Sequence, residues 1–173
     1  LFDAQHFVTR GDVIVVTVNY RIGALGFLDL SSFSSGEHVF DSNLALRDVL
    51  LALNWVQQNI AAFGGDPKRV TLFGESAGGG LVTTLMTMPS SAGLFARAIA
   101  ESSPATSVYD TARAATVARM FLDRVSVAPA DIARLRELPV DQIVDEGFAV
   151  YREVPTEYPG TLAFAPIVDG DLV

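Results

Sequence analysis

The segment that most constrains the fold is an apolar run, then a glycine-rich turn, then a second apolar run. The first run, Val70-Thr71-Leu72-Phe73, is β-branched and apolar, which is typical of a short buried strand. After the turn, apolar residues recur at helical spacing. The turn between them, Gly74-Glu75-Ser76-Ala77-Gly78, fits G-x-S-x-G. A strand that turns directly into a helix predicts a sheet covered by helices.

The rest of the chain continues this alternation of strands and helices. Residues 13–18 are apolar without alternation, which predicts a strand buried on both faces. Residues 43–63 carry apolar side chains at spacings of three and four, which predicts a long helix. The order indicates an α/β fold, with a mostly parallel sheet and helices on both faces. The remaining predicted elements are a strand over 96–100 and helices over 110–125, 130–137 and 140–146.

Composition excludes several classes of protein. Half of the 173 residues are hydrophobic and 18 % are charged, so the chain can bury a core and is not disordered. The net charge of -8 and a single lysine, Lys68, argue against a nucleic-acid partner. Without cysteine there is no disulfide framework and no thiolate metal site. No run of about 18 apolar residues is present, so we expect no membrane span.

The G-x-S-x-G turn has a chemical interpretation. In a nucleophile elbow the serine hydroxyl is held above the edge of the sheet by a tight, strained turn. Gly74 and Gly78 would supply the small residues that this turn needs. Ser76 would be the nucleophile, and the backbone N–H of Ala77 would donate to the oxyanion of a tetrahedral intermediate. The alternative is a glycine-rich turn that carries an inert serine.

Several motifs in order along the chain resemble one family. The elbow, the preceding Phe63-Gly64-Gly65-Asp66-Pro67 and the segment Asn19 to Leu28 are similar to the type-B carboxylesterases. This family includes the cholinesterases and the bacterial para-nitrobenzyl esterases. Leu53 to Ile60 resembles the family's long helix before the elbow, and weaker family patterns fall at Leu94-Phe95, Leu135-Arg136 and Pro166 to Gly170.

The resemblance implies an α/β-hydrolase fold and hydrolysis of small carboxylic esters. Ser76 would attack the ester carbonyl, the alcohol would leave, and water would hydrolyse the acyl-enzyme. The resemblance also implies that Glu75 and Ser102 lie behind the reacting groups, with Glu75 near the catalytic histidine. The alternative for Glu75 is a partly buried acid that is paired locally. It implies no metal and no organic cofactor.

A triad of this class runs along the chain in the order serine, acid, histidine. No histidine follows Ser76, and the only two, His6 and His38, precede it. We therefore interpret residues 1–173 as a fragment of a single α/β-hydrolase catalytic domain, inactive when isolated. His38 as a substitute base is the less favoured alternative, because a solvated loop histidine explains it as well.

Three functions remain in competition. The first is a serine carboxylesterase, and the second is a catalytically inactive esterase-like binding or adhesion module. The third is a hydrolase of another acyl substrate, such as a lipase or thioesterase. Retention of Ser76 with both elbow glycines favours the first. Composition suggests a soluble bacterial protein, cytoplasmic or secreted, and the sequence leaves the oligomeric state open. Asn19, Arg21 and Asp48 are predicted to make structural hydrogen bonds, with Arg21 paired to Asp48.

Overall fold

A computed structural model describes residues 4–104 and 108–173 of the chain. The helices are α1 (Gln5–Gly11), α2 (Gly23–Phe27), α3 (Leu44–Asn59), α4 (Ala77–Thr87), α5 (Thr111–Arg124) and α6 (Val140–Glu157). The strands are β1 (Thr71–Glu75), β2 (Arg97–Glu101), β3 (Tyr109–Asp110) and β4 (Ile167–Val168). Short 3₁₀ segments cover Ser31–Phe33, Ile60–Phe63, Pro67–Arg69, Pro89–Ser91 and Pro129–Glu137.

The two longer strands pair in parallel. Their register runs from Thr71 opposite Arg97 to Glu75 opposite Glu101. The crossover between them is α4, which packs against both strands. This confirms the predicted strand–helix–strand unit around the G-x-S-x-G turn. The short strands β3 and β4 form a second parallel pair.

The predicted strand over residues 13–18 is wrong for this structure. These residues are irregular, and Val13, Ile14, Val16 and Val18 are 41–46 % exposed. A strand requires a neighbour for its backbone N–H and C=O groups. Among the described residues β1 pairs only with β2, and residues 13–18 pair with neither. Their composition suits a buried strand, but no ladder forms there.

The long helix before the elbow is confirmed as α3. Its apolar face, which includes Leu46, Leu50 and Leu53, is buried against Leu81 and Leu85 of α4. A 3₁₀ turn continues it to Phe63, and Gly64 ends it with a φ of 86°. That left-handed conformation suits glycine, which has no Cβ to clash.

The predicted pairing of Arg21 with Asp48 is also confirmed. The Arg21 guanidinium donates to both carboxylate oxygens of Asp48, at 2.7 and 2.8 Å. These hydrogen bonds hold the pKa of Asp48 below its usual value. The Arg21–Asp48 ion pair connects the irregular segment after residue 18 to the first turns of α3.

The C-terminal part is more helical than its sequence pattern predicts. Residues 140–146 are predicted as a short helix, but α6 continues to Glu157 through Pro155. Proline lacks the N–H that a helix interior uses. Val150 and Val154 are fully buried in a cluster with Phe121 and Leu122 of α5, so tertiary packing offsets that loss.

Candidate active site

Ser76 sits in a strained turn between β1 and α4. Its backbone has φ 54° and ψ -116°, a conformation that L residues rarely adopt. The Ser76 N–H donates to the Glu101 carbonyl at 2.9 Å, and the Gly80 N–H donates to the Ser76 carbonyl at 3.0 Å. These bonds hold the turn between the end of β2 and the first turn of α4. Ser76 itself is exposed.

Close backbone packing explains one of the two elbow glycines. A Cβ on Gly74 would lie 2.5 Å from the carbonyl carbon of Gly78, which no side chain can occupy. A Cβ on Gly78 would meet nothing within 4 Å. The expectation that both positions must be small is therefore corrected. Position 74 needs glycine, whereas position 78 has open space beside it.

Gly79 is a tightly packed residue that the motif did not identify. A Cβ there would lie 2.7 Å from the Glu101 carbonyl oxygen and 3.2 Å from Cα of Ser103. Gly79 thus lets the first turn of α4 lie against the end of β2. In the sequence, the run Gly78-Gly79-Gly80 could have indicated this contact, since a glycine inside a helix often has a packing reason.

Ala77 is the first residue of α4. The first N–H groups of a helix have no intrahelical acceptor, and the helix dipole places partial positive charge there. α4 has no acidic side chain in its first turn that would compete for these groups. An oxyanion that forms at Ser76 would therefore lie beside unsatisfied N–H donors.

Ser102 follows β2 as Ser76 follows β1. Glu75 and Glu101 are register partners, so the two serines extend adjacent strands at the same edge of the sheet. Ser102 also has a positive φ, 50°, and is exposed. Next to it, the Ser103 hydroxyl lies 3.2 Å from the Thr83 hydroxyl of α4. The end of β2 is thus connected both to Ser76, through Glu101, and to α4, through Ser103.

Glu75 is exposed, so the alternative of a partly buried acid with a local partner does not fit this structure. It is the last residue of β1 and is exposed, as is its partner Glu101. The exposure of Glu75 has a simple cause. The face of β1 and β2 that carries Glu75 also carries Phe73 and Ile99, each about half exposed. The Phe7 ring of α1 lies 6.3 Å from the Phe73 ring, so the described elements cover this face only in part.

The two histidines occupy different surroundings. His6 is exposed on α1. His38 is half-buried in the loop before α3, and its Nδ1 is buried without a hydrogen-bond partner among the described residues. The Oγ of Ser35 accepts from the His38 N–H, so the loop folds back on itself there.

Two cavities of the described structure have linings that do not include Ser76. One, of about 10 Å³, is lined by Asp29, Tyr109 and Arg113 among others. The other is a groove of about 340 Å³ between α5 and α6, lined by Arg113, Thr116 and Tyr158 among others. Within residues 4–104 and 108–173, no group of three or more His, Asp or Glu side chains could hold a metal ion. In the same residues, no helix has the length and apolar character that a bilayer crossing requires.

A parallel strand–helix–strand unit with a strained serine in the turn between strand and helix is typical of the α/β-hydrolase fold. The Carboxylesterase family matches residues 1–173, the whole chain. The chain therefore belongs to the carboxylesterase family.

Relatives and solved structures agree with this family. A para-nitrobenzyl esterase of Bacillus subtilis (strain 168) is 42 % identical over 144 residues, 83 % of this chain and 29 % of that protein. Human bile salt-activated lipase is 39 % identical over the whole chain and 23 % of its own length, and human neuroligin-2 is 38 % identical over the whole chain and 20 % of its own length.

Among solved structures, a thermophilic pNB esterase superposes with a TM-score of 0.84 at 40 % identity, covering 94 % of this chain and 32 % of that one. A carboxylesterase of Geobacillus stearothermophilus gives 0.84 at 36 % identity, covering 98 % and 34 %. The structures confirm the predicted α/β-hydrolase fold, of which this chain holds a part. The chain spans about a third or less of the length of these relatives.

Proposed function

We propose that this chain carries the nucleophile of a serine carboxylesterase. Ser76 is the attacking group, and the Ala77 N–H is one donor to the oxyanion. The backbone of Ser76 is the observation that carries the proposal. A positive φ costs a non-glycine residue of the order of 1–3 kcal/mol, and such strain clusters at functional sites. Here it places an exposed hydroxyl at a helix N-terminus, between two strand ends.

The reaction would proceed by acyl transfer. Ser76 Oγ attacks the ester carbonyl carbon and loses its proton to a general base. The carbonyl oxygen takes the negative charge beside the N–H groups at the start of α4. The alcohol leaves with a proton, and water then releases the acid from the acyl-enzyme. The exposed Ser102 lies one strand away and would contact the groups around Ser76.

The general base is proposed to lie outside these 173 residues. No histidine follows Ser76, and the expected order is serine, acid, histidine. The ester is proposed to be a small carboxylic ester, in keeping with the names of the para-nitrobenzyl esterase and carboxylesterase relatives.

The experiment measures hydrolysis of p-nitrophenyl butyrate by the longer natural protein in which we propose this chain occurs. Ser76→Ala should lower kcat to the background of residual catalysis, a loss of about 10³-fold or more. Ser126→Ala is the matched control, because Ser126 is also exposed with a positive φ, at the end of α5. It should leave kcat unchanged. Equal activity of the wild type and Ser76→Ala would overturn the proposal and favour the esterase-like binding module.

A further inference from the structure

Helix α6 has a second apolar face that nothing in the described structure covers. Val140, Val144, Phe148, Tyr151 and Pro155 follow one another at spacings of three and four, and we call them the α6 stripe. Val140, Val144, Phe148 and Tyr151 are 40–62 % exposed. The Phe148 and Tyr151 rings contact each other edge to face at 6.4 Å. The other apolar face, with Gly147, Val150 and Val154, is already buried against α2 and α5.

The charges beside the α6 stripe form a pattern. Asp141, Asp145 and Arg152 are exposed, and none of them forms an ion pair with another described residue. At 3.6 residues per turn, all three lie on one flank, roughly 20–60° around the helix from Phe148. The acids occupy the N-terminal half of this flank and the arginine the C-terminal half.

Two acids farther around α6, roughly 140–160° from Phe148, are already paired. Glu146 and Glu153 accept from Arg124 of α5 at 2.8 and 3.1 Å. Free charge of both signs therefore remains only on the flank that borders the α6 stripe.

We propose that the α6 stripe binds a second copy of this chain, with the two α6 helices antiparallel about a two-fold axis near Phe148. In an antiparallel pair the same flank of each helix meets its counterpart. Asp145 of one copy then lies opposite the partner's Arg152, and the reverse pair forms by symmetry. In a parallel pair the two charged flanks would instead lie on opposite sides of the contact and would not meet. The charge pattern therefore complements itself in one orientation only.

The expected interface is small. The 18 residues of α6 span about 27 Å, and one helix pair falls in the weak class of protein interfaces. We therefore expect a monomer–dimer equilibrium that responds to dilution.

Sedimentation velocity over a concentration series tests the apolar contact, with the longer natural protein in which we propose this chain occurs. The wild type should dimerise, and Phe148→Asp should raise the dissociation constant at least about tenfold. Leu51→Asp is the control, because Leu51 is 71 % exposed on the outer face of α3. It should leave the dissociation constant unchanged. Circular dichroism checks that each variant keeps its helices.

Two charge variants test the orientation. Arg152→Glu and Asp145→Arg should each weaken self-association severalfold, because each brings like charges together in the pair. An equimolar mixture of the two should associate again as a heterodimer, since both pairs are then of opposite sign. Arg69→Glu, the same change on an exposed arginine far along the chain, should have no effect.

Three results would overturn the proposal. The wild-type protein could remain monomeric over the whole concentration range. Phe148→Asp could leave association unchanged, which would indicate the partly covered sheet face with Phe73 and Ile99 instead. The mixture of charge variants could fail to associate, which would exclude the antiparallel pair.

Discussion

At the scale of single residues, the backbone of Ser76 is the feature with the clearest consequence. Its φ of 54° and ψ of -116° lie in a region that glycine adopts without strain and that other residues rarely adopt. The hydrogen bond from its N–H to Glu101 and the start of α4 impose this conformation. The strained backbone therefore lowers the stability of the fold at Ser76, the residue that is proposed to react.

This strain predicts a difference between two inactive variants. Ser76→Gly should be more stable than Ser76→Ala by about 1 kcal/mol, because alanine keeps the strain and glycine relieves it. The urea midpoint of each variant measures the difference. Ser126→Gly against Ser126→Ala is the comparison at another serine with a positive φ, also 54°. If Ser76→Ala proved the more stable variant, the turn would not be strained.

The neighbouring glycines predict an opposite pair of effects. Gly74→Ala should destabilise the fold by about 1–3 kcal/mol, because its Cβ would overlap the backbone of Gly78. Gly78→Ala should be neutral or stabilising by up to about 1 kcal/mol, because the position is open and helical. Equilibrium denaturation in urea distinguishes them. Equal destabilisation by both substitutions would contradict the packing described around the elbow.

At the scale of elements, a polar cluster connects the start of α3 to the C-terminal segment. The Asn43 side chain donates to the Ile167 carbonyl at 2.9 Å and accepts from the Ile167 N–H at 2.8 Å. Asp169 accepts from the Ser42 hydroxyl, the Asn43 amide and the N–H groups of residues 171–173. Ser42 and Asn43 are buried, so these bonds replace the water that they lose.

The same cluster sets the charge state of Asp169. Burial by itself would raise the pKa of its carboxyl. The hydrogen bonds from Ser42 and the backbone outweigh burial and hold the pKa well below its usual range. A lowered pKa means that the carboxylate stabilises the fold above the unfolded pKa of about 3.9 and loses this effect as the pH falls toward the folded pKa.

We therefore expect Asp169→Asn to lower the free energy of unfolding by about 2 kcal/mol at pH 7. The difference from the wild type should shrink as the pH falls below about 4. Urea denaturation between pH 7 and pH 2.5 measures both effects. Asp171→Asn is the control, because the Asp171 side chain is 80 % exposed and its ion pair with Arg47 is long, at 3.2 Å. If the free energies of unfolding of the wild type and Asp169→Asn differed by the same amount at every pH, the charge of Asp169 would not contribute to stability.

At the scale of the whole molecule, no histidine follows the proposed nucleophile Ser76 in these 173 residues, so the expected general base is missing from the isolated chain. The 173-residue chain by itself should therefore hydrolyse p-nitrophenyl acetate at the same rate as its Ser76→Ala variant. Stopped-flow absorbance of both proteins, with and without His38→Gln, is the measurement. Turnover that requires both Ser76 and His38 would show instead that the loop histidine supplies the base.

Part of this architecture could be predicted from residues alone. The unit of β1, elbow, α4 and β2 was predictable because its contacts are local, and strand, turn and helix patterns specify it within about 30 residues. The face of α3 was predictable for the same reason, since helical periodicity is a local property. The family follows from these motifs, because they retain their order along the chain.

Other features were decided only by the tertiary structure. Residues 13–18 have the composition of a buried strand, yet a strand exists only where a neighbour accepts its hydrogen bonds, and none of the described strands does. A partly buried position was one interpretation of Glu75, and it is exposed, because the described elements cover its face of the sheet only in part. The extension of α6 through Pro155, the close approach at Gly79 and the link from Asn43 to Ile167 all depend on residues distant in sequence. Composition and periodicity are local and determine which elements can form, whereas burial and pairing are decided by what the folded chain places beside each element.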